Sequence, residues 1–363
     1  MQGRKGYIVL LLLALVMAGC KVNEPEQKLC LPLSICLPAN EVQSARYAPA
    51  ARRAIGDPGT RELFLFPHHL YIIVMKQDNT TKEWSVWHAE ERTLTDADWK
   101  PKHYSGPLPT MEDSIYQYTE QINLTLTAGG SKFYGRVYAI ASEESLSFNK
   151  TWSSSGITSL DDLLSLTFNT SEVQSSLQHI YSSPYNLTLN GDYYGSFNSN
   201  FQRVPYVNLL LYHVAAKVDI KWNVQEEKRI NKADRENAVR LTYMEARNLF
   251  NGNAYCFKPM RNTVESLPTE GQNIKIIADS TNEGQWWEGR SYFYTIPYTV
   301  TGDPNYFPLQ MTLRTNGSTT GTGYQPTLNL RVDTTAKFVP WLRANFNLTA
   351  PLENKTETKT VDN

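Results

Sequence analysis

The chain has 363 residues, a length that favours two domains rather than one. Apolar residues make up 41% and aromatic residues 12% of it, and Thr, Ser and Asn are abundant, which favours β-structure because β-branched and aromatic side chains pack well on pleated surfaces. The formal net charge is −1 and no basic stripe is present, so the sequence argues against a nucleic-acid partner.

The N-terminus has the pattern of an export signal. Arg4 and Lys5 precede the apolar run "YIVLLLLALVMAG", which is too short for a comfortable transmembrane span. The run ends at Cys20 in "VMAGC", which resembles a bacterial lipoprotein signal. That resemblance implies a signal peptide over 1–19, removed before Cys20, and a diacylglycerol on the Cys20 thiol, with a further acyl chain such as palmitate. Two or more such chains anchor a protein stably in a membrane.

A short segment after the signal has the period of a strand. Apolar residues occupy every second position of "KLCLPLSICLP", namely Leu29, Leu31, Leu33, Ile35 and Leu37. An extended chain separates the Cα atoms of Cys30 and Cys36 by about 20 Å, whereas a disulfide needs roughly 4.4–6.8 Å. We therefore predict a half-buried strand rather than a disulfide loop. Prolines at 32 and 38 require an edge or an inserted position for this strand.

The segment 20–53 is predicted to be a prosegment that ends in a protease-sensitive linker. The sequence "YAPAARRAIGDPGT" is rich in Ala, Pro and Gly and lacks an amphipathic period, as an exposed loop does. From the residues alone, a cut after Arg46, Arg52, Arg53 or Arg61 is possible.

Residues 54–205 are predicted to form a first β-domain with a short helical insertion. "HLYIIVMKQDNTTKEW" reads as a hairpin, with a strand, a turn at Asp78 and Asn79, and a returning strand. "QYTEQINLTL" and "GRVYAIAS" read as two more strands, the second with a bulge at Gly135. "SLDDLLSLTFNTSEVQSSLQHIY" is the best helical region, interrupted near Asn169 and Thr170. Asp161 and Asp162 at its start suit the positive end of a helix dipole.

Residues 206–350 are predicted to form a second β-domain, followed by a polar tail over 351–363 without ordered structure. "YVNLLLYHVAAKVDIKWNV" reads as one long, nearly continuous strand. Four further strand candidates follow, the last in "WLRANFNLTAPL", separated by Gly, Pro, Asn and Asp turns. The fold class predicted from these elements is mainly β, with two β-sandwiches in series.

The sequence contains no recognisable set of catalytic residues, and we expect neither enzymatic activity nor a cofactor or metal site. Its histidines lack metal-ligand spacing, and no nucleophile or acid–base set is present. Trp286 and Trp287 could form a sugar-stacking platform, although adjacent strand residues face opposite sides of a sheet. A surface carbohydrate-binding lipoprotein is therefore one alternative function.

Several segments, taken in order, resemble the Bacteroidetes fimbrillins, the subunits of type V pili. These are "HLYIIVMKQDN", "GRVYAIAS", "VPYVNLLLYHVAAKVDIKWNV", "YFYTIPYTV" and "VPWLRANFNLTAPL", which span residues 61–350. The resemblance implies two tandem transthyretin-like sandwiches without enzymatic activity. It also implies maturation by an Arg-specific protease at "AARRAIGDPG", with cleavage between Arg53 and Ala54.

The same resemblance implies assembly by donor-strand exchange. Loss of 20–53 removes the plug strand at Leu29–Leu37, and a neighbouring subunit inserts a strand in its place. Alternating apolar residues near the C-terminus are the donor candidates, namely Leu348, Ala350 and Leu352. The implied partners are other pilus subunits, the outer membrane through the lipid, and an adhesion target on a host or bacterium. The implied location is an outer-membrane lipoprotein and then the cell surface or fimbrium. An uncleaved, lipid-retaining pilus anchor is the second alternative.

Overall fold

The computed structural model describes residues 27–37, 65–78, 80–103, 114–126, 134–183, 196–198, 207–223, 240–257, 262–268, 271–277, 288–316, 327–333, 342–345 and 356–361. The described part is mainly β, as predicted. Its strands are β1 (Gln27–Leu37), β2 (His69–Gln77), β3 (Trp84–Thr93), β4 (Lys100–His103), β5 (Ser114–Leu126), β6 (Tyr134–Ser142), β7 (Thr167–Asn169), β8 (Ile180–Ser182), β9 (Ser196–Asn198), β10 (Val207–Leu210), β11 (Tyr212–His213), β12 (Ala216–Asn223), β13 (Arg240–Leu249), β14 (Asn253–Tyr255), β15 (Asn262–Val264), β16 (Gln272–Ile277), β17 (Glu288–Thr295), β18 (Tyr298–Val300), β19 (Tyr306–Asn316), β20 (Thr327–Asp333), β21 (Leu342–Asn345) and β22 (Thr356–Val361). Within the ranges just given, the helical turns are α1 (Leu160–Leu164) and two 3₁₀ turns (Asp96–Asp98 and Gln174–His179).

Two sheets of the N-terminal half form a sandwich. A four-stranded sheet has the order β10-β1-β5-β4, and a six-stranded sheet has the order β11-β8-β6-β2-β3, with β9 added to β6. Apolar side chains from both sheets meet in one core, which includes Leu33, Ile35, Ile72, Ile122 and Val137. A β-sandwich arises here because each sheet has an apolar face that it must bury.

The six-stranded sheet is covered on both faces. Along β2, Leu70, Ile72 and Val74 face the four-stranded sheet, whereas the alternate residues, such as Tyr71 and Ile73, join a second core. This explains why β2 reads as a continuous apolar run. β2 and β3 form the predicted hairpin. The bulge predicted at Gly135 is wrong, because β6 pairs with β2 in an unbroken register.

The C-terminal half contains a three-stranded sheet (β17-β12-β21) and a five-stranded sheet (β16-β13-β19-β20-β22). Two small sheets, β14-β7 and β15-β18, complete the described topology. The second core runs from Tyr71 and Tyr138 in the N-terminal half to Phe293 and Phe307 in the C-terminal half. The β7–β14 ladder, which pairs Phe168 with Ala254, also crosses between the halves. The two halves therefore share buried apolar contacts.

The long strand predicted over 206–224 is wrong in its continuity. The segment divides into β10, β11 and β12, which pair with β1, β8 and β17. The chain bends at Val214 and Ala215, both buried, and the Val214 amide donates to the Ile180 carbonyl at 3.0 Å. The run reads as nearly continuous because it enters two cores in succession, the first at Leu209 and the second at Val218. Pairing with N-terminal strands therefore continues past residue 205, where the domain boundary was expected.

The C-terminal tail is a second correction. Within 351–363, which was expected to lack ordered structure, Thr356–Val361 forms β22 and pairs in parallel with β20. Its sequence, "TETKTV", places Thr at alternate positions, and Thr has a high β-propensity. Polar and charged residues are typical of such an edge strand, because they discourage unwanted pairing with other chains.

The predicted helix start is confirmed at α1, but the helical region predicted beyond it is wrong, because the chain continues as β7, which pairs with β14, then a 3₁₀ turn and β8. The Ser159 hydroxyl accepts a hydrogen bond from the Asp162 amide at 3.1 Å, and the Asp162 carboxylate accepts one from the Ser159 amide at 3.2 Å. This reciprocal cap satisfies two amides that the first turn leaves unpaired. The Lys150 ammonium donates to Asp162 at 2.5 Å, and this bond, together with those from Thr158, holds the pKa of the Asp162 carboxyl well below its usual range.

Candidate functional site

The predicted plug segment lies inside the four-stranded sheet, between β5 and β10. β1 pairs with β5 in antiparallel fashion along its whole length, from Gln27 opposite Leu126 to Leu37 opposite Tyr116. On its other side it pairs in parallel with β10, where Leu33 faces Val207. The Leu211 amide extends this ladder by donating to the Cys36 carbonyl at 2.9 Å. β1 thus separates two strands that come from distant parts of the sequence.

The inward face of β1 is part of the sandwich core. Its alternate side chains are at most 1% exposed, namely Leu31, Leu33, Ile35 and Leu37. Full burial of one such side chain is favourable by about 1.5–3 kcal/mol, so the four together contribute roughly 6–12 kcal/mol before the entropy of ordering is counted. A segment with this much buried apolar surface is an integral strand and not a loose tether.

The outward face of β1 is mixed. Cys30 is exposed, whereas Ser34 is fully buried and Cys36 is 8% exposed. The Gln117 side-chain amide on β5 donates a hydrogen bond to the Ser34 hydroxyl, and the Ser34 oxygen lies 3.6 Å from the Cys36 sulfur. The outward face therefore carries a buried polar contact between β1 and its neighbour.

The prolines and cysteines of β1 fit its position. The ladder to β10 begins at Leu33, so at Pro32 the described sheet pairs β1 with β5 alone, opposite Gln121. Proline is tolerated where one side of a strand makes no ladder bond. Cys30 and Cys36 are both free thiols, as the strand prediction requires.

β5 is tied to the six-stranded sheet by contacts that do not involve β1. Arg92 on β3 lies 2.7 Å from the Glu120 carboxylate on β5 and 2.8 Å from Glu90. The Trp87 indole on β3 donates to the Thr125 carbonyl on β5 at 3.0 Å. One wall of the slot that β1 occupies is thus held in place independently of β1.

The contacts between β3 and β5 shift the pKa values of two of the side chains that make them. The hydrogen bond to Glu120 raises the pKa of Arg92, and burial, followed by the nearby Glu120 charge, raises the pKa of Tyr118 well above its usual value. The Tyr118 hydroxyl donates to Glu120 at 3.0 Å. These raised pKa values keep Arg92 charged and Tyr118 neutral across the physiological pH range.

The sequence did not identify the residues that surround β1. Gln117, Arg92 and Val207 were not singled out, although extending the alternation of β5 back to Tyr116 would have predicted a longer strand. That β5 and β10 are neighbours of β1 depends on long-range pairing, which no local pattern encodes.

Most of the other predicted site residues lie outside the described residues. This applies to the lipidation site Cys20, to the cleavage pair Arg53 and Ala54, to the candidate donor residues Leu348, Ala350 and Leu352, and to Trp286 and Trp287. Of the predicted site, the structure therefore places only the plug strand.

The described residues contain no group of three or more His, Cys, Asp or Glu side chains arranged to hold a metal ion. The histidines make pairwise contacts, such as His68 with Asp96 at 2.9 Å and His69 with Glu91 at 3.6 Å. No helix within the described ranges is both long enough and apolar enough to span a membrane.

Comparison with known proteins gives distant structural likenesses only. No family model matches the chain, and no curated protein matches it. A candidate cell adhesion protein from Parabacteroides distasonis is 14% identical with a TM-score of 0.44, covering 90% of this chain and 93% of that one. A fimbrial assembly protein from the same organism is 13% identical with a TM-score of 0.38, covering 82% and 86%. A candidate cell adhesion protein from Bacteroides eggerthii is 13% identical with a TM-score of 0.40, covering 94% and 88%. These likenesses are too distant to assign a function to this chain.

Proposed function

We propose that the chain is a structural and adhesive subunit of a type V pilus. It is exported as a lipoprotein through Cys20, cut by an Arg-specific protease after Arg53, and polymerised by exchange of β1 for a strand of a neighbouring subunit. Its location is first the outer membrane and then the fimbrium. Its partners are other pilus subunits and an adhesion target on a host or bacterial surface.

The observation that carries this proposal is the place of β1 in the fold. β1 is an inner strand of the four-stranded sheet, and it lies on the N-terminal side of the dibasic linker at Arg52 and Arg53. One cut in that linker separates β1 covalently from every other described strand. An N-terminal strand that only completed the sheet would not need a protease-sensitive linker directly after it.

Removal of β1 would leave a slot suited to another strand. β5 and β10 would each lose a ladder partner, and the core beneath them would be uncovered where Leu31, Leu33 and Ile35 now lie. Unpaired strand edges beside apolar pockets are the features that strand addition uses. The Arg92–Glu120 contact supports this use, because it holds β5 against the six-stranded sheet without help from β1.

The test is limited digestion of the purified full chain with an Arg-specific protease, followed by N-terminal sequencing, mass spectrometry and electron microscopy. We expect a new N-terminus at Ala54, loss of the 20–53 peptide, and growth of filaments. A matched Arg53→Ala variant, with Arg52 intact, shows whether Arg53 is the cleavage point.

Two results would contradict the proposal. In the first, β1 stays bound after the linker is cut and no filament forms. In the second, the surface-exposed protein begins at Cys20 and retains its acyl chains, which would identify an uncleaved pilus anchor instead.

A further inference from the structure

We propose that Gln117 sets the register of the strand that replaces β1, by donating a hydrogen bond to a small hydroxyl side chain on that strand. This inference rests on the proposed strand exchange. It names a specificity-determining residue of the slot and the chemistry that the incoming strand must supply. The proposed occupant is the segment around Thr349 of a second copy of this chain.

The apolar face of the slot cannot fix the register by itself. Because side chains alternate with a period of two, a strand that slips by two residues still directs its apolar side chains into the core. The buried contact between Gln117 and Ser34 does not survive such a slip. Ser34 is fully buried and Gln117 is 8% exposed, so a slipped strand would leave a largely buried amide without this partner.

The chain's own C-terminal sequence meets both requirements in one alignment. If Thr349 takes the place of Ser34, then Leu348 takes that of Leu33 and Ala350 that of Ile35, and the pattern continues with Phe346 for Leu31 and Leu352 for Leu37. Gln117 lies opposite Cys36 and reaches Ser34 diagonally, so the residue that takes the place of Ser34 decides the contact. A slip in one direction puts Pro351, which has no hydrogen-bonding side chain, in the place of Ser34. A slip in the other direction places Asn347 there, and its side chain is larger than the buried serine.

Cysteine cross-linking measures the register directly. Gln121 on β5 is exposed and faces Pro32, whose place Asn347 takes in the proposed alignment. We expect filaments of a Gln121→Cys, Asn347→Cys chain to form disulfide-linked ladders on oxidation. Chains with Gln121→Cys and either Asn345→Cys or Thr349→Cys report the two slipped registers. The background is clean, because the cut removes Cys30 and Cys36 and the remaining thiol, Cys256, is 1% exposed.

The role of Gln117 is tested in the same cross-linking chain. We expect Gln117→Leu to lower the share of in-register cross-links by about fivefold, the effect of losing one ordinary hydrogen bond. Asn123→Leu, which changes an exposed amide on the same face of β5, is the matched control and should leave that share unchanged.

A change on the incoming strand keeps the test decisive if Gln117→Leu fails to fold. Thr349→Val removes the hydroxyl and should lower in-register cross-linking by about fivefold, whereas Thr349→Ser should retain it. Equal cross-linking in all three registers, or equal behaviour of Thr349→Val and Thr349→Ser, would overturn the inference while filaments still grow. If the unsubstituted chain forms no filaments after cleavage, the proposed function itself fails.

Discussion

Truncation of one buried side chain of β1 should weaken the uncleaved protein strongly. Ile35 is fully buried, and Tyr118 on β5 and Leu209 on β10 face it from either side. Ile35→Ala removes three carbon groups, worth about 2.4 kcal/mol at about 0.8 kcal/mol each. The cavity left between two paired strands adds to this, so we expect a total loss of about 3–4 kcal/mol.

Urea denaturation of the full chain, followed by tryptophan fluorescence, measures this loss. Cys30→Ala is the matched control, because Cys30 lies on the same strand but is exposed, and it should change the free energy of unfolding by less than about 0.5 kcal/mol. After cleavage at Arg53 the Ile35→Ala protein has the same sequence as the unsubstituted one, so its filaments should be equally stable. Equal unfolding midpoints for Ile35→Ala and Cys30→Ala would refute the claim that β1 is an integral strand.

Three further predictions concern other parts of the fold. The pKa of Asp162 is lowered on folding, so the Asp162 carboxylate stabilises the fold above about pH 4, and this contribution is lost as the pH falls below that value. Acid titration of Asp162→Asn should therefore show a shallower loss of stability below about pH 4 than the unsubstituted chain shows. Gly289→Ala would place a Cβ in steric overlap with the Trp222 ring, and thermal unfolding should show a loss of about 1–3 kcal/mol. In the native full chain, a thiol reagent should label the exposed Cys30 quickly, whereas burial raises the pKa of the Cys256 thiol and should make its labelling slow.

The sequence predicted those elements whose signals are local. The period-two run at Leu29–Leu37 and the Asp residues at the start of α1 both correspond to the observed elements. These signals succeed because a half-buried strand and a helix cap depend on residues that are neighbours in the chain.

What the sequence did not predict depends on tertiary context. The apolar residues of the run over 206–224 continue through Val214 and Ala215, so nothing in the sequence marks the bend at Val214, where the chain leaves one core for another. β22 is polar, and its pairing with β20 could not be read from its composition. The Gln117–Ser34 contact joins residues that are far apart in the chain, and it exists only because β5 pairs with β1 in one register.

Hydrogen exchange along β5 tests most directly whether β1 is a replaceable strand. Those backbone amides of Tyr116–Leu126 that point toward β1, which are every second one, should be protected in the uncleaved chain, should lose protection in the cleaved monomer freed of residues 20–53, and should regain it in filaments. Unchanged protection of these amides in the cleaved monomer would contradict the account, because β5 would then need no replacement for β1.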